Sequence, residues 1–249
     1  NKKGILKLKD INLEIKKGEI LGIAGIDGNG QKELANVLAG IQKPTNGTYR
    51  LKQEEILRYT PKTLLEKGVA FIPEERNNLG AVNAVSIEKN LILKEFYQKQ
   101  YQKHGTFNQK VITEHAKKLI DSYNIKVGSE KDAAGTLSGG NLQKVIVARE
   151  LSQNPEFLIA SQPTRGLDIG AVESVQNLLI DARNKGISIL LISTELDEVL
   201  SLSDRIAVIY DGKIVDVLKN DEKLDIGSLG LMMAGGKSAN QYMAGGAAI

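Results

Sequence analysis

The 249-residue sequence predicts an α/β domain built on a mainly parallel sheet and interrupted by a helical subdomain. Three observations carry that expectation. Short apolar runs at residues 20–24, 69–72, 157–160, 187–193 and 205–210 alternate with helical patterns. A glycine loop, Gly25-Ile-Asp-Gly-Asn-Gly-Gln-Lys-Glu33, follows the first run and opens a helix. Between about Asn77 and Asn154 core-strand signals lapse and longer helical patterns take over.

Taken in order, Ile11, Leu13 and Ile15 alternate with polar residues, as in a half-buried strand. Lys17-Gly18 turns the chain into the run at 20–24, whose unbroken apolar character suits a strand buried on both faces. Residues 33–39 read as a helix stopped by Gly40, and 44–47 as a turn. Thr60-Pro61 is a cap-plus-proline start for a short helix ending at Gly68, and Pro73 closes the strand at 69–72. Helical patterns at 87–101 and 111–123 and an amphipathic one at 142–151 fill the insertion. A helix at 171–184 separates the next two strands, and Asp211-Gly212 makes a two-residue hairpin into 213–217. The Gly- and Ala-rich end, "GLMMAGGKSANQYMAGGAAI", is expected to be a loosely ordered tail.

Composition narrows the function classes. Lys plus Arg (33) nearly cancel Asp plus Glu (30), so a net charge of +3 provides no basic stripe for nucleic acid. Cysteine is absent, which excludes disulfides and thiolate metal sites. No apolar run reaches the length of a membrane helix, and a soluble chain is expected. The first residues lack an initiator Met, as in a piece excised from something longer.

The glycine loop has the spacing G-x-x-G-x-G, so the dinucleotide fingerprint G-x-G-x-x-G does not fit it. Alone it could be a phosphate cradle or a strand-to-helix turn using glycines for positive φ. Leu137-Ser-Gly-Gly-Asn141 precedes a helix. Ser138 suits the N-cap, while Gly139 and Gly140 would let backbone N–H groups approach an anion. The strand at 157–160 runs into Ser161-Gln-Pro-Thr-Arg-Gly-Leu-Asp168, a loop placed where open α/β sheets bind ligands.

In order and separation these pieces resemble the nucleotide-binding domain of an ABC transporter, over nearly the whole chain to about Val217. "LSGGN" is similar to the family's signature motif and "FLIASQPTRGLD" to its Walker B strand and D-loop. "FIPEER" looks like the Q-loop and "LLISTELDEVL" like the switch-histidine strand. The resemblance implies a P-loop NTPase core with an N-terminal antiparallel β part at 1–76 and 155–217. It also implies a helical subdomain carrying the signature at 77–154 and a C-terminal tail at 218–249.

The resemblance also exposes losses. The family's phosphate loop ends in Lys followed by Ser or Thr, where this chain has Gln31 and Lys32. A neutral amide in place of a charge-assisted contact is roughly half as strong, and an ammonium where a hydroxyl should bind Mg²⁺ repels the metal. Ser161 and Gln162 stand where Walker B ends in Asp-Glu, and Thr194 stands at the switch histidine. Glu74 occupies the Q-loop glutamine position and retains the ability to ligate a metal. The signature residues Leu137, Ser138, Gly139, Gly140 and Asn141 and the D-loop Asp168 are intact.

Family members pair head to tail, each ATP lying between one phosphate loop and the partner's signature. The expectation is therefore a domain with no catalytic residues and no metal at its own site, inactive or very weak alone. Gly25, Gly28, Asn29, Gly30, Gln31, Lys32, Glu33 and Glu74 would form a nucleotide site of doubtful occupancy. The signature would serve an ATP with Mg²⁺ at the partner site. This pattern resembles the second half of the double-domain ATPases of simple-sugar and nucleoside importers. The implied partners are a competent first half in the same natural chain, a membrane permease reached through a coupling helix and, indirectly, an external substrate-binding protein. The location would be the cytoplasmic face of the membrane. Two alternatives are an autonomous ATPase using Lys32 and a non-transport ABC adaptor protein; the charge balance speaks against the nucleic-acid contacts that the adaptor needs.

Overall fold

The apolar run after Gly18 forms a strand with every residue buried, β1 (Ile20–Ala24). A computed structural model of the protein describes residues 6–103 and 105–236. Along the chain follow α1 (Gln31–Leu38), a two-stranded ribbon of β2 (Arg50–Leu51) and β3 (Glu54–Glu55), α2 (Pro61–Glu66) and β4 (Val69–Ile72). Next come α3 (Ile87–Leu91), a second ribbon of β5 (Gln102–Lys103) and β6 (Thr106–Phe107), α4 (Gln109–Ser122) and α5 (Gly139–Leu151). The chain then returns through β7 (Phe157–Ser161), α6 (Ile169–Asn184), β8 (Ser188–Ile192), α7 (Leu196–Leu202), β9 (Arg205–Tyr210), β10 (Lys213–Lys219) and α8 (Ile226–Met233).

Backbone proximity divides the chain into two units. One comprises residues 1–69, 156–162 and 183–249, the other residues 70–155 and 163–182. In the first, the sheet order is β10-β9-β1-β8-β7. β1 lies parallel to β8 (Ile20 opposite Ile189) and to β9 (Leu21 opposite Arg205), so it is covered on both edges. Two covered edges and two covered faces explain its continuous apolar sequence. β10 alone in this set runs antiparallel, through the Asp211-Gly212 turn whose φ angles of 45° and 73° are those of a two-residue hairpin.

Several expectations need correction. Ile11, Leu13 and Ile15 are half-buried in alternation but form no strand; the antiparallel part of this segment is the ribbon of β2 and β3. The helix expected over 87–101 stops after α3. The aromatic-rich stretch that follows has weak helix propensity, and by turning it brings Tyr101 against Ile92 and Ile112 in a small apolar cluster. The expected loose tail is ordered in its first part. α8 runs on from Gly230 to Met233 and packs Met232 into a cluster with Val199, Ile206 and Val208. Residues 237–249 lie outside the described residues. No helix among the described residues is long and apolar enough to cross a membrane.

The second unit packs α3, α4 and α5 together. α5 is buried nearly all round, including Gln143, Arg149 and Glu150, rather than amphipathic. Asn90, fully buried on α3, ties the loop before that helix. Its Oδ1 accepts from Val82 N at 2.8 Å, and its Nδ2 donates to the carbonyls of Val82, Val85 and Ser86.

Candidate functional site

β1 feeds the glycine loop into the N-terminus of α1, with Gly30 capping the helix in the left-handed region at φ 108°. Gln31 is the first helical residue. Its side chain does not project from the loop but folds back inside it, leaving 6% of the residue exposed. Nε2 donates to the carbonyls of Gly25 and Ile26, both at 3.0 Å. Oε1 is buried without a hydrogen-bond partner among the described residues. Gly25 is required by this arrangement: a Cβ there would lie 2.6 Å from Ile209 O and 3.0 Å from Gln31 Nε2.

Asn29 ties the loop outward to the β9–β10 turn. Its Oδ1 accepts from Asp211 N at 2.8 Å, its carbonyl from Gly212 N at 3.0 Å, and its Nδ2 donates to Ile26 O at 2.8 Å. The turn is itself held by an ion pair of Lys9 with Asp211 at 2.7 Å, which draws the exposed Asp211 carboxyl below the usual range, mainly through the hydrogen bond from Lys9. Gly28, at φ 90°, has open space around it, so the mouth of the loop is unobstructed there. Lys32 and Glu33 follow on α1, Lys32 exposed and Glu33 half-buried.

At the end of β7, Ser161 is buried, and Gln162 takes a left-handed backbone conformation at φ 49°. Gln162 N donates to Ile192 O at 2.7 Å. The Gln162 Oε1 accepts from both the backbone N–H and the hydroxyl of Thr194, each at 3.3 Å. The structure thus joins Gln162 and Thr194, two of the residues that sequence reasoning singled out. An amide paired with a hydroxyl has no basic group to polarise water and no carboxylate to hold Mg²⁺. With Lys32 on α1 and a buried hydroxyl at Ser161, this donor set does not fit a divalent metal.

In the other unit, Glu74 is engaged by an ion pair with Arg165. Arg76 donates through Nη2 to Arg165 O at 2.7 Å, and burial lowers the pKa of its guanidinium. Leu137 precedes Ser138, the N-cap of α5. The Ser138 Oγ accepts from Asn141 N at 3.4 Å and from Asn141 Nδ2 at 3.0 Å, while Asn141 Oδ1 holds Lys126 N at 2.8 Å. Ser138 and Gly139 remain exposed at the positive end of this 13-residue helix. Asp168 binds Ala171 N through Oδ1 at 2.9 Å and so caps α6.

Sequence reasoning missed Arg76 and Arg165, and also a buried charged group, Lys94, Arg149 and Glu150. Two adjacent opposite charges ending the apolar run 145–148 were the available signal for the last of these.

The ABC transporter family model matches residues 8–165. The nucleoside import ATP-binding protein NupA of Lactococcus lactis subsp. cremoris is 42% identical over 234 residues, covering 94% of this chain and 46% of that protein. The guanosine import ATP-binding protein NupO of Bacillus subtilis is 43% identical over 233 residues, covering 94% and 46%. The glucose import ATP-binding protein TsgD13 of Haloferax volcanii is 40% identical, covering 95% and 43%. The chain therefore spans less than half the length of these relatives. Among solved structures, a nucleotide-free ATP-binding cassette from an ABC transporter superposes with a TM-score of 0.74 at 26% identity, covering 87% of this chain and 86% of that one. Motif order, fold and relatives agree: the chain belongs to the ABC transporter family, as an ATP-binding domain close to nucleoside and sugar import ATPases.

Proposed function

We propose that this chain is the non-hydrolysing second half of a nucleoside or simple-sugar import ATPase, and that it completes its partner's ATP site with its signature motif. One observation carries the reading. The side chains at the positions where charge should meet phosphate, water and metal are bonded to neutral groups instead: Gln31 to the loop's own carbonyls, Gln162 to Thr194. The signature turn, by contrast, stays exposed at a helix N-terminus. Relatives about twice as long as this chain support a first half elsewhere in the natural protein. Importer relatives likewise support a permease partner, an external binding protein and a place at the cytoplasmic face of the membrane. The permease's coupling helix would meet the region from Glu74 to Asn78, which leads into the exposed apolar side chains of Leu79 and Val82.

The test is ATP turnover by this chain alone and together with its first half. The expected result is no measurable hydrolysis alone and full hydrolysis in the pair; brisk turnover by the isolated chain, abolished by Gln31→Ala, would sink the reading. Gln31→Lys alone is expected not to create hydrolysis, because Ser161 and Gln162 still supply no carboxylate. In a calorimetric titration, ATP affinity at this loop is expected to be the same with and without Mg²⁺. Mg²⁺-dependent binding lost in Lys32→Ala would favour the autonomous enzyme instead.

A further inference from the structure

At the C-terminal end of α5, twelve residues along from Ser138, the fully buried carboxylate of Glu150 gathers four donors. Oε2 accepts from Lys94 Nζ at 2.5 Å and from the backbone N–H of Phe71 at 3.1 Å. Oε1 accepts from Arg149 Nε at 3.0 Å and Nη2 at 2.9 Å. Burial pushes the Glu150 carboxyl up, but Lys94, Arg149 and the hydrogen bonds from Lys94 and Phe71 together outweigh it, so the group stays ionised. Burial lowers Lys94, against the pull of Glu150. All four residues belong to the same unit.

Phe71 lies on β4, three residues before Glu74. A charge with every oxygen occupied inside a packed interior has one arrangement, and displacing it leaves buried donors unmet. A helix is stiff along its length, so α5 connects this fixed end to the signature turn. Near the signature turn, Arg76 Nη1 lies 3.8 Å from where a Cβ on Gly139 would stand, so the segment after β4 also comes close to the start of α5.

We infer that Glu150 is a positioning residue: it joins the signature helix to the strand that leads into Glu74–Arg76, so that seating of the partner's ATP on Ser138–Gly140 displaces both segments together. This rests on the signature-donation reading above. The discriminating substitution is Glu150→Asp, which keeps the charge beside Lys94 and Arg149 but withdraws it from Phe71 N. Glu150→Gln keeps an acceptor within reach of Phe71 N by turning its N–H₂ toward Arg149, so it removes the charge and the two Arg149 bonds but not the Phe71 one.

The experiment is hydrogen–deuterium exchange and transport assay on the complete natural assembly, with its other ATPase half and permease in lipid. In the wild type, ATP is expected to slow exchange in both 138–151 and 71–76, and the Phe71 amide is expected to be protected even before ATP is added. In Glu150→Asp only 138–151 should respond, with molecules transported per ATP falling about tenfold while ATP turnover stays within about twofold. Glu150→Gln should keep the two segments coupled. A Phe71 amide exchanging at the free rate in the wild type, or equal response of both segments in Glu150→Asp, overturns the role of Glu150. Absence of any ATP response at 138–151 in the wild type overturns the signature reading itself, and this inference with it.

Discussion

Gly139→Asp is expected to reduce ATP hydrolysis and transport by the complete assembly about 100-fold or more while leaving this chain folded. The structure separates the two effects. A Cβ on Gly139 would meet Leu167 Cδ2 at 3.7 Å and Arg76 Nη1 at 3.8 Å, ordinary contact distances. The new carboxylate would sit at the first turn of α5, where the helix dipole favours it, and next to a guanidinium. Stability should therefore hold or rise slightly. The same carboxylate, however, occupies the space in which a partner's γ-phosphate would approach the exposed N–H groups, and like charges at that range exclude each other. Gly140 offers no such separation, because a Cβ there would lie 2.6 Å from the Ala171 side chain and would disturb α6. Turnover of the assembly and thermal unfolding of the isolated chain together decide the matter; undiminished transport would remove the signature from the mechanism.

Asn90→Ala is expected to destabilise the second unit by about 2–4 kcal/mol, from a buried group left without its partner plus the small cavity behind it. Among the groups Asn90 binds, the Val82 and Ser86 carbonyls also accept from Val85 N and Asn90 N, and the Val85 carbonyl from Ala134 N. Val82 N has its bond to Oδ1 at 2.8 Å, so it bears most of the loss. Asn90→Asp should cost more than Asn90→Ala. It retains the acceptor for Val82 N but turns a second oxygen, in place of two donor hydrogens, toward three carbonyls at a buried position. Chemical denaturation followed by a probe in this unit measures both. An Asp variant as stable as wild type would contradict the hydrogen-bond assignment.

What was legible in the sequence was whatever local pattern determines. A continuous apolar run reports a strand covered on both faces, and Thr60-Pro61 and Asp211-Gly212 report a cap and a turn through their own backbone preferences. The signature turn was legible for the same reason: Ser138 caps the helix that follows it. Contacts between residues distant in sequence were not. Nothing in the order of residues places Lys94 against Glu150, 56 positions apart, or Arg165 against Glu74, 91 positions apart. The turn after α3 and the docking of α8 were likewise decided by tertiary burial of Tyr101, Leu229 and Met232. Gln31 shows the difference most plainly. Its identity announced a lost charge, but only the structure shows where the amide went.

That inward-folded amide also alters what sets the loop's shape. A loop organised by a bound nucleotide follows the concentration of that nucleotide, gaining stability as occupancy rises. The bonds from Gln31 to Gly25 and Ile26 are intramolecular, so their effective concentration is fixed by the chain and does not vary with the energy charge of the cell. The shape of this loop is therefore written into the fold rather than supplied by a ligand.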